Sequence, residues 1–149
     1  MIILETPKAM REWSLHQRAA GKSIGCVPTM GALHAGHMSL VEASLDACDV
    51  TVLTLFVNPT QFAPHEDFDQ YPRTFGADCA LAQGAGVDAI YAPTASSMYP
   101  EHYATYVAVE GLQEGLCGAT RPHFFRGVAT VVTKLFNATL PDKAFFGLK

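Results

Sequence analysis

The chain has 149 residues, 49% of them hydrophobic and 16% charged, with a formal net charge of −4. That is enough apolar chain for one domain with a real core and too little polarity for a disordered segment, and the acidic balance argues against a nucleic-acid partner. No apolar run approaches the ~20 residues of a membrane span, and Met1–Trp13 lacks the basic segment and apolar core of a secretion signal, so a cytoplasmic protein is expected.

Thr6-Pro7 opens the first predicted helix, with Thr as N-cap and Pro at the first helical position; Gly21 closes it, giving a span of about 7–20. The apolar run Ile24-Gly25-Cys26-Val27 reads as a buried strand over 23–28. A helix over 36–47 follows, because Met38, Val41, Leu45 and Cys48 fall on one face. Val50–Val57 is β-branched and almost wholly apolar, the pattern of a central parallel strand covered on both faces. Asn58-Pro59 ends it, and a polar loop with Glu66, Asp67 and Asp69 leads to a helix from about Arg73 to the glycines at 84 and 86. Asp88–Ala92 is a third strand, stopped by Pro93. Residues 94–126 break the pattern and read as an excursion over the site face, with one short strand at Tyr106–Val109. A fourth helix spans about 127–139, with Val128, Val131, Val132, Leu135 and Phe136 toward the core, and Ala144–Phe146 is a fourth strand. Cys26, Cys48, Cys79 and Cys117 form no CxxC pair and read as reduced core residues.

Alternating strands and helices imply an α/β domain with a doubly wound parallel sheet. If the four predicted strands lie in the order 3-2-1-4, the first and last flank the point where the winding reverses, and ligands bind beyond the carboxyl ends of strands at such a point. The loop after the first strand and Gly147-Leu148-Lys149 after the fourth then reach one crevice.

The first of these loops is the most informative stretch: Pro28-Thr29-Met30-Gly31-Ala32-Leu33-His34-Ala35-Gly36-His37. Two histidines with a glycine between them sit where a strand turns into a helix. The first turn of a helix offers N–H groups and partial positive charge, an anion site for which phosphate is the usual ligand. Gly36 removes a Cβ that would hold a phosphate away from the backbone. The imidazoles add N–H donors suited to charge growing on a pentacoordinate phosphate, and a helix N-terminus favours neutral imidazole. Metal ligation is permitted by the spacing, but no acid lies between the histidines and no third His or Cys is near in sequence. Past the central strand, the amides of Asn58 and Gln61 suit a small polar substrate, since each donates and accepts; a strand-ending turn is the plainer reading of Asn58-Pro59. Asp78 could approach a Mg²⁺ ion, but as a single carboxylate on a helix it reads rather as part of a solvated face.

The decapeptide resembles the HIGH-type signature of nucleotidyl-transferring α/β enzymes with a Rossmann-like fold. Together with Phe56–Phe62, Tyr71-Pro72-Arg73-Thr74, Arg126-Gly127-Val128 and Lys134-Leu135-Phe136, it is similar along its whole length to the pantothenate synthetase family. That resemblance implies ATP-dependent joining of pantoate to β-alanine through a pantoyl adenylate, releasing AMP and pyrophosphate. It implies an ATP site at Met30, Gly31, His34, Gly36, His37, Gly147 and Lys149, with His37 and His34 as catalytic residues. Gln61 and Asn58 would contact pantoate, near the β-alanine site. Mg²⁺ is expected to ride on the triphosphate, which needs few protein ligands. A homodimer is implied as well. His123 departs from the family pattern by one place and receives no role, while Arg126 suits either a phosphate or a loop cap. The family chain continues with a second substrate glutamine, a Ser/Arg-rich loop and a small lid domain, so residues 1–149 are expected to be an incomplete nucleotide-binding domain.

Two rivals remain at this point. A sibling nucleotidylyltransferase shares the histidine pair but gives no reason for the 56–62 and 71–74 stretches. A non-catalytic nucleotide-binding or dimer-forming module needs only the fold.

Overall fold

The computed structural model describes residues 1–62, 68, 70–115, 117–121 and 123–148. Its strands are β1 (Ile2–Leu4), β2 (Ile24–Thr29), β3 (Val50–Leu55), β4 (Ala89–Tyr91) and β5 (Lys143–Ala144). Its α-helices are α1 (Pro7–Ala19), α2 (Ala35–Ala47), α3 (Phe75–Ala85), α4 (Ala95–Met98), α5 (Cys117–Thr120) and α6 (Phe124–Thr139), with a 3-10 turn at Pro59–Gln61. Glu66, Asp67 and Asp69 of the expected polar loop lie outside the described residues.

All strand pairings are parallel, in the order β1-β4-β3-β2-β5. The four strands expected from sequence stand in the 3-2-1-4 order considered above, the last of them at Lys143–Ala144 and not over Ala144–Phe146, and the winding reverses between β2 and β5. A fifth strand was missed. Ile2–Leu4 is three residues long and only Leu4 is buried, so it carries no period-2 signal of its own. It is recruited by β4, with Leu4 opposite Tyr91. The expected strand at 106–109 does not form. Val107 gives its backbone N–H to the Thr130 hydroxyl of α6 at 2.9 Å, so this donor is satisfied by a helix side chain and not by a neighbouring strand. No described helix is long and apolar enough to cross a membrane.

Side chains alternate across the sheet as strand geometry requires. Val50, Val52, Ala89 and Tyr91 face one side with Met10 of α1 and Val131, Leu135 and Ala138 of α6. Val27, Leu53 and Ile90 face the other with Val41 of α2 and Ala82 of α3. A helix layer on each face makes both sides of the sheet core, which is why β3 reads as an almost wholly apolar run, interrupted only by the buried Thr51 and Thr54. Helix α1 starts as its sequence demands: Thr6 Oγ1 accepts the Ala9 N–H at 3.1 Å, with Pro7 at the first helical position. Helix α3 ends at Gly86, which takes φ +92°. The cysteines are all free, but only Cys26 is a buried core residue; Cys48 and Cys79 are half-buried and Cys117 is exposed. Burial pushes the Cys26 thiol up to about 12.

Candidate functional site

A crevice of about 610 Å³ opens beyond the carboxyl ends of β2 and β5, at the reversal of winding. Its rim is built by Pro28 and Thr29 at the end of β2, Met30 just after it, the first turn of α2, and Phe146, Gly147 and Leu148 after β5. Gln61 and Tyr71 close one side, and Val131, Val132 and Leu135 of α6 supply an apolar wall.

The start of α2 follows from local chemistry. His34 is the N-cap, in extended conformation, and its Nδ1 accepts the Gly36 N–H at 3.1 Å. An accepting Nδ1 carries no proton, so the ring's own N–H is Nε2, on the far side of the ring. The His37 ring lies against it, with centroids 4.1 Å apart. Gly36 has a reason beyond the one expected from sequence. A Cβ there would stand 3.0 Å from His34 Cε1 and 3.2 Å from Nδ1, inside the space the capping imidazole needs.

The loop before the helix is held from behind. Gly31 (φ +86°) and Ala32 (φ +52°) are both left-handed. Asp78 Oδ2 accepts the Ala32 N–H at 3.0 Å and Oδ1 accepts the Leu33 N–H at 2.9 Å. Thr74 Oγ1 donates to the same carboxylate at 3.1 Å. Asp78 is 3% exposed, so the solvated-face expectation is corrected. Its partners lie in a loop 46 positions away, and no local pattern announces them. Gly31 does not border the crevice; it lines an adjoining cavity of about 280 Å³ with Met30, Thr74, Phe75 and Asp78.

The second loop is organised around Asn58, which is fully buried. Its Oδ1 accepts from Tyr99 OH at 2.8 Å, Thr60 Oγ1 at 2.9 Å and the Thr60 N–H at 3.2 Å. Its Nδ2 donates to Gln61 Oε1 at 2.9 Å and to the Gly127 carbonyl at 3.2 Å. Asn58, expected to touch substrate, therefore spends its amide inside the protein, and Gln61 alone of the pair reaches the crevice. Gly127 permits this contact: a Cβ there would meet the Thr60 carbonyl oxygen at 2.5 Å. Arg121 Nη2 fixes the same loop by donating to the Gln61 carbonyl at 2.7 Å.

The structure thus brings Met30, His34, Gly36, His37, Gln61 and Gly147 to one crevice. Lys149 lies outside the described residues. Arg126 lies over the Tyr106 ring at 4.6 Å, and His123 sits at the start of α6 without capping it through its side chain. Sequence reasoning missed Tyr71 as a crevice residue. Burial, reinforced by the charge of Asp78, pushes its phenol above the ordinary value, leaving a neutral hydroxyl at neutral pH. The α6 residues Val131, Val132 and Leu135 belong to the core as expected and line the crevice as well. Among the described residues no three His, Cys, Asp or Glu side chains converge as a metal cluster.

The sequence model of the pantoate-beta-alanine ligase family matches residues 2–149. The chain is 57% identical to the pantothenate synthetase of Moorella thermoacetica and 53% identical to that of Acetivibrio thermocellus, over all of this chain and 53% of each relative. The crystal structure of the Thermus thermophilus pantothenate synthetase superposes with a TM-score of 0.90 at 46% identity, over 99% of this chain and 52% of that one. The pantoate-beta-alanine ligase of Francisella tularensis, solved as a complex with beta-gamma ATP and beta-alanine, also gives 0.90, at 34% identity over 97% of this chain and 55% of that one. The chain spans about half the length of these relatives. Fold and sequence agree: the chain belongs to the pantoate–β-alanine ligase family.

Proposed function

We propose that this chain supplies the ATP- and pantoate-binding part of an enzyme that condenses pantoate with β-alanine. The observation that carries the reading is the single crevice lined by His34 and His37 on one side, Gln61 on another, and the apolar residues Val131, Val132, Leu135 and Phe146. Phosphates lie at the start of α2, where helix N–H groups and imidazole N–H donors meet them. Pantoate lies against the α6 wall, which suits its geminal methyls, with Gln61 addressing its oxygens. Asn58 serves by orienting Gln61. Met30, Gly31, Gly36, Gly147 and Lys149 complete the nucleotide site in this reading.

The reaction runs in two steps. A pantoate carboxylate oxygen attacks the α-phosphorus of ATP, forming an acyl–phosphate bond while the bond to pyrophosphate breaks. The amine of β-alanine then attacks the acyl carbon, forming the amide, losing a proton and expelling AMP. No side-chain nucleophile is required, because adenylation activates the acyl group. His34 and His37 act in the first step, where negative charge shifts across the phosphates. Asp78 is committed to backbone N–H groups, so the described residues do not offer Mg²⁺ a protein cage, and the ion would be carried by the triphosphate oxygens.

The test is pantoate-dependent exchange of labelled pyrophosphate into ATP, on this chain and on the full-length natural protein. Exchange in the full-length protein that falls on the order of 100-fold with His37→Ala supports the reading. A folded full-length protein that exchanges only with a phosphorylated acceptor, or not at all with pantoate, overturns it.

A further inference from the structure

The carboxylate of Asp78 stands behind the nucleotide loop and not in the crevice. Gly31 and Ala32 both take positive φ, and the successive N–H groups of Ala32 and Leu33 converge on one carboxylate. Such an array is an anion-binding concavity. Here the anion is the protein's own: both Asp78 oxygens are occupied by the Ala32 and Leu33 N–H groups, and Thr74 adds a hydroxyl. Ala32 holds a backbone state that residues with a Cβ rarely take, at φ +52°, so the turn needs an external hold. The next residue after this held pair is His34, whose ring caps α2 and rests against His37. Thr29 contributes from the strand side, its Oγ1 accepting the Gly31 N–H at 3.2 Å.

Resting on the adenylation reading above, we propose that Asp78 is a positioning residue for the ATP-activating half-reaction. Its buried carboxylate, bonded to the Ala32 and Leu33 N–H groups, holds the left-handed turn that sets His34 and His37 against the phosphates. It touches no substrate. Neutralising it leaves an amide with one acceptor where the loop presents two N–H donors. The turn then relaxes, and the histidine pair shifts relative to the reacting phosphorus.

The two half-reactions separate positioning from a merely structural role. Charge moves across the phosphates in adenylation, whereas bond-making in the second step occurs at the acyl carbon. In the full-length natural protein, Asp78→Asn is expected to lower kcat for pantoate-dependent pyrophosphate exchange by ~10–100-fold, the scale of a small misplacement of catalytic groups. Aminolysis of supplied pantoyl adenylate by β-alanine should stay within about threefold of wild type, since neither His34 nor His37 is invoked there. Thr74→Val, which removes only the supporting hydroxyl, should give a smaller loss of the same kind and carries the test if Asp78→Asn does not fold. Unchanged exchange in a folded variant, or parallel loss of both half-reactions following the loss of thermal stability, overturns the proposal while wild-type exchange keeps the parent reading intact. A folded wild-type protein inactive in both half-reactions overturns the parent reading and this inference with it.

Discussion

The loops after β2 and β3 meet at the same crevice but are fixed in opposite ways. The first, residues 30–34, is held from outside by a charge: a carboxylate on α3 takes two of its backbone N–H groups. The second, residues 58–62, is held from within by an amide: Asn58 is saturated by its own turn, by Tyr99 and by the Gly127 carbonyl of α6. The difference matches what each loop must present. The first leads into a helix N-terminus, which offers positive potential to an anion, and the acid that shapes it sits on the far side of the backbone. The second presents a neutral amide, Gln61, and needs directional hydrogen bonds without a net charge. One loop is thus secured to a helix that is not part of the crevice, the other to the helix that forms its wall.

Breaking the inner hub should cost most. Asn58→Ala strips partners from the buried Gly127 carbonyl and from Tyr99, and an expected loss of about 3 kcal/mol of unfolding free energy is measurable by urea titration. Asn58→Asp is the sharper comparison, since it keeps the acceptor for Tyr99 but loses the donor to Gln61 and Gly127. Gly127→Ala comes next. Its Cβ would meet the Thr60 carbonyl at 2.5 Å, so α6 must move off the turn. About 2 kcal/mol of destabilisation is expected, together with, under the function proposed above and in the full-length protein, a rise in KM for pantoate larger than that for ATP.

Gly36→Ala tests the other loop without touching its core. The new Cβ crowds the His34 ring at 3.0 Å. Under the function proposed above, pyrophosphate exchange in the full-length protein should fall roughly tenfold, equivalent to ~1.4 kcal/mol, while the unfolding midpoint stays nearly unchanged.

Smallest at neutral pH is the effect of the buried thiol on the sheet beneath both loops. Cys26 is raised from 9.0 to about 12 by burial, against a lowering hydrogen bond from Thr139. Above pH 9 the unfolded chain releases this proton and the folded chain keeps it. Its contribution is therefore fully present below pH 9 and is lost as pH climbs toward 12. Cys26→Ala should flatten the alkaline fall in stability by up to ~1.4 kcal/mol per pH unit across that window. An unchanged slope would mean the thiol does not stay protonated in the folded protein.

The sequence made the first loop's chemistry visible because strand, loop and helix are contiguous there: apolar run, glycines, histidines and helical periodicity occur within about 25 residues. The alternation of central strands and helices was legible for the same reason, as each βα unit is local, whereas the order of the strands in the sheet was an assumption until the fold supplied it. What stayed hidden is long-range. Asp78 looks like any helix-surface acid until the fold places Ala32 and Leu33 over it. Asn58 looks like a substrate amide until Gly127, 69 positions away, is seen to use its N–H. The edge strand Ile2–Leu4 is too short to declare itself, and Tyr106–Val109 has strand-like composition but finds a helix hydroxyl as its partner.

The hub at Asn58 also carries a consequence for how the chain is made. Its Gly127 partner is synthesised 69 residues later, and the Asp142 carboxylate that receives the Ile24 N–H comes 118 residues after its partner. While the first two-thirds of the chain emerges from a ribosome, β2, β3 and β4 can pair. The amide of Asn58 still lacks Gly127 at that stage, and the outer edge of β2 still lacks β5. Ordering α6 and β5 must pay the closure of those long loops before it is rewarded. Until then the apolar face of β2 and β3 that α6 covers stands open, which makes the stretch between β4 and α6 the interval in which a chaperone would have most to hold.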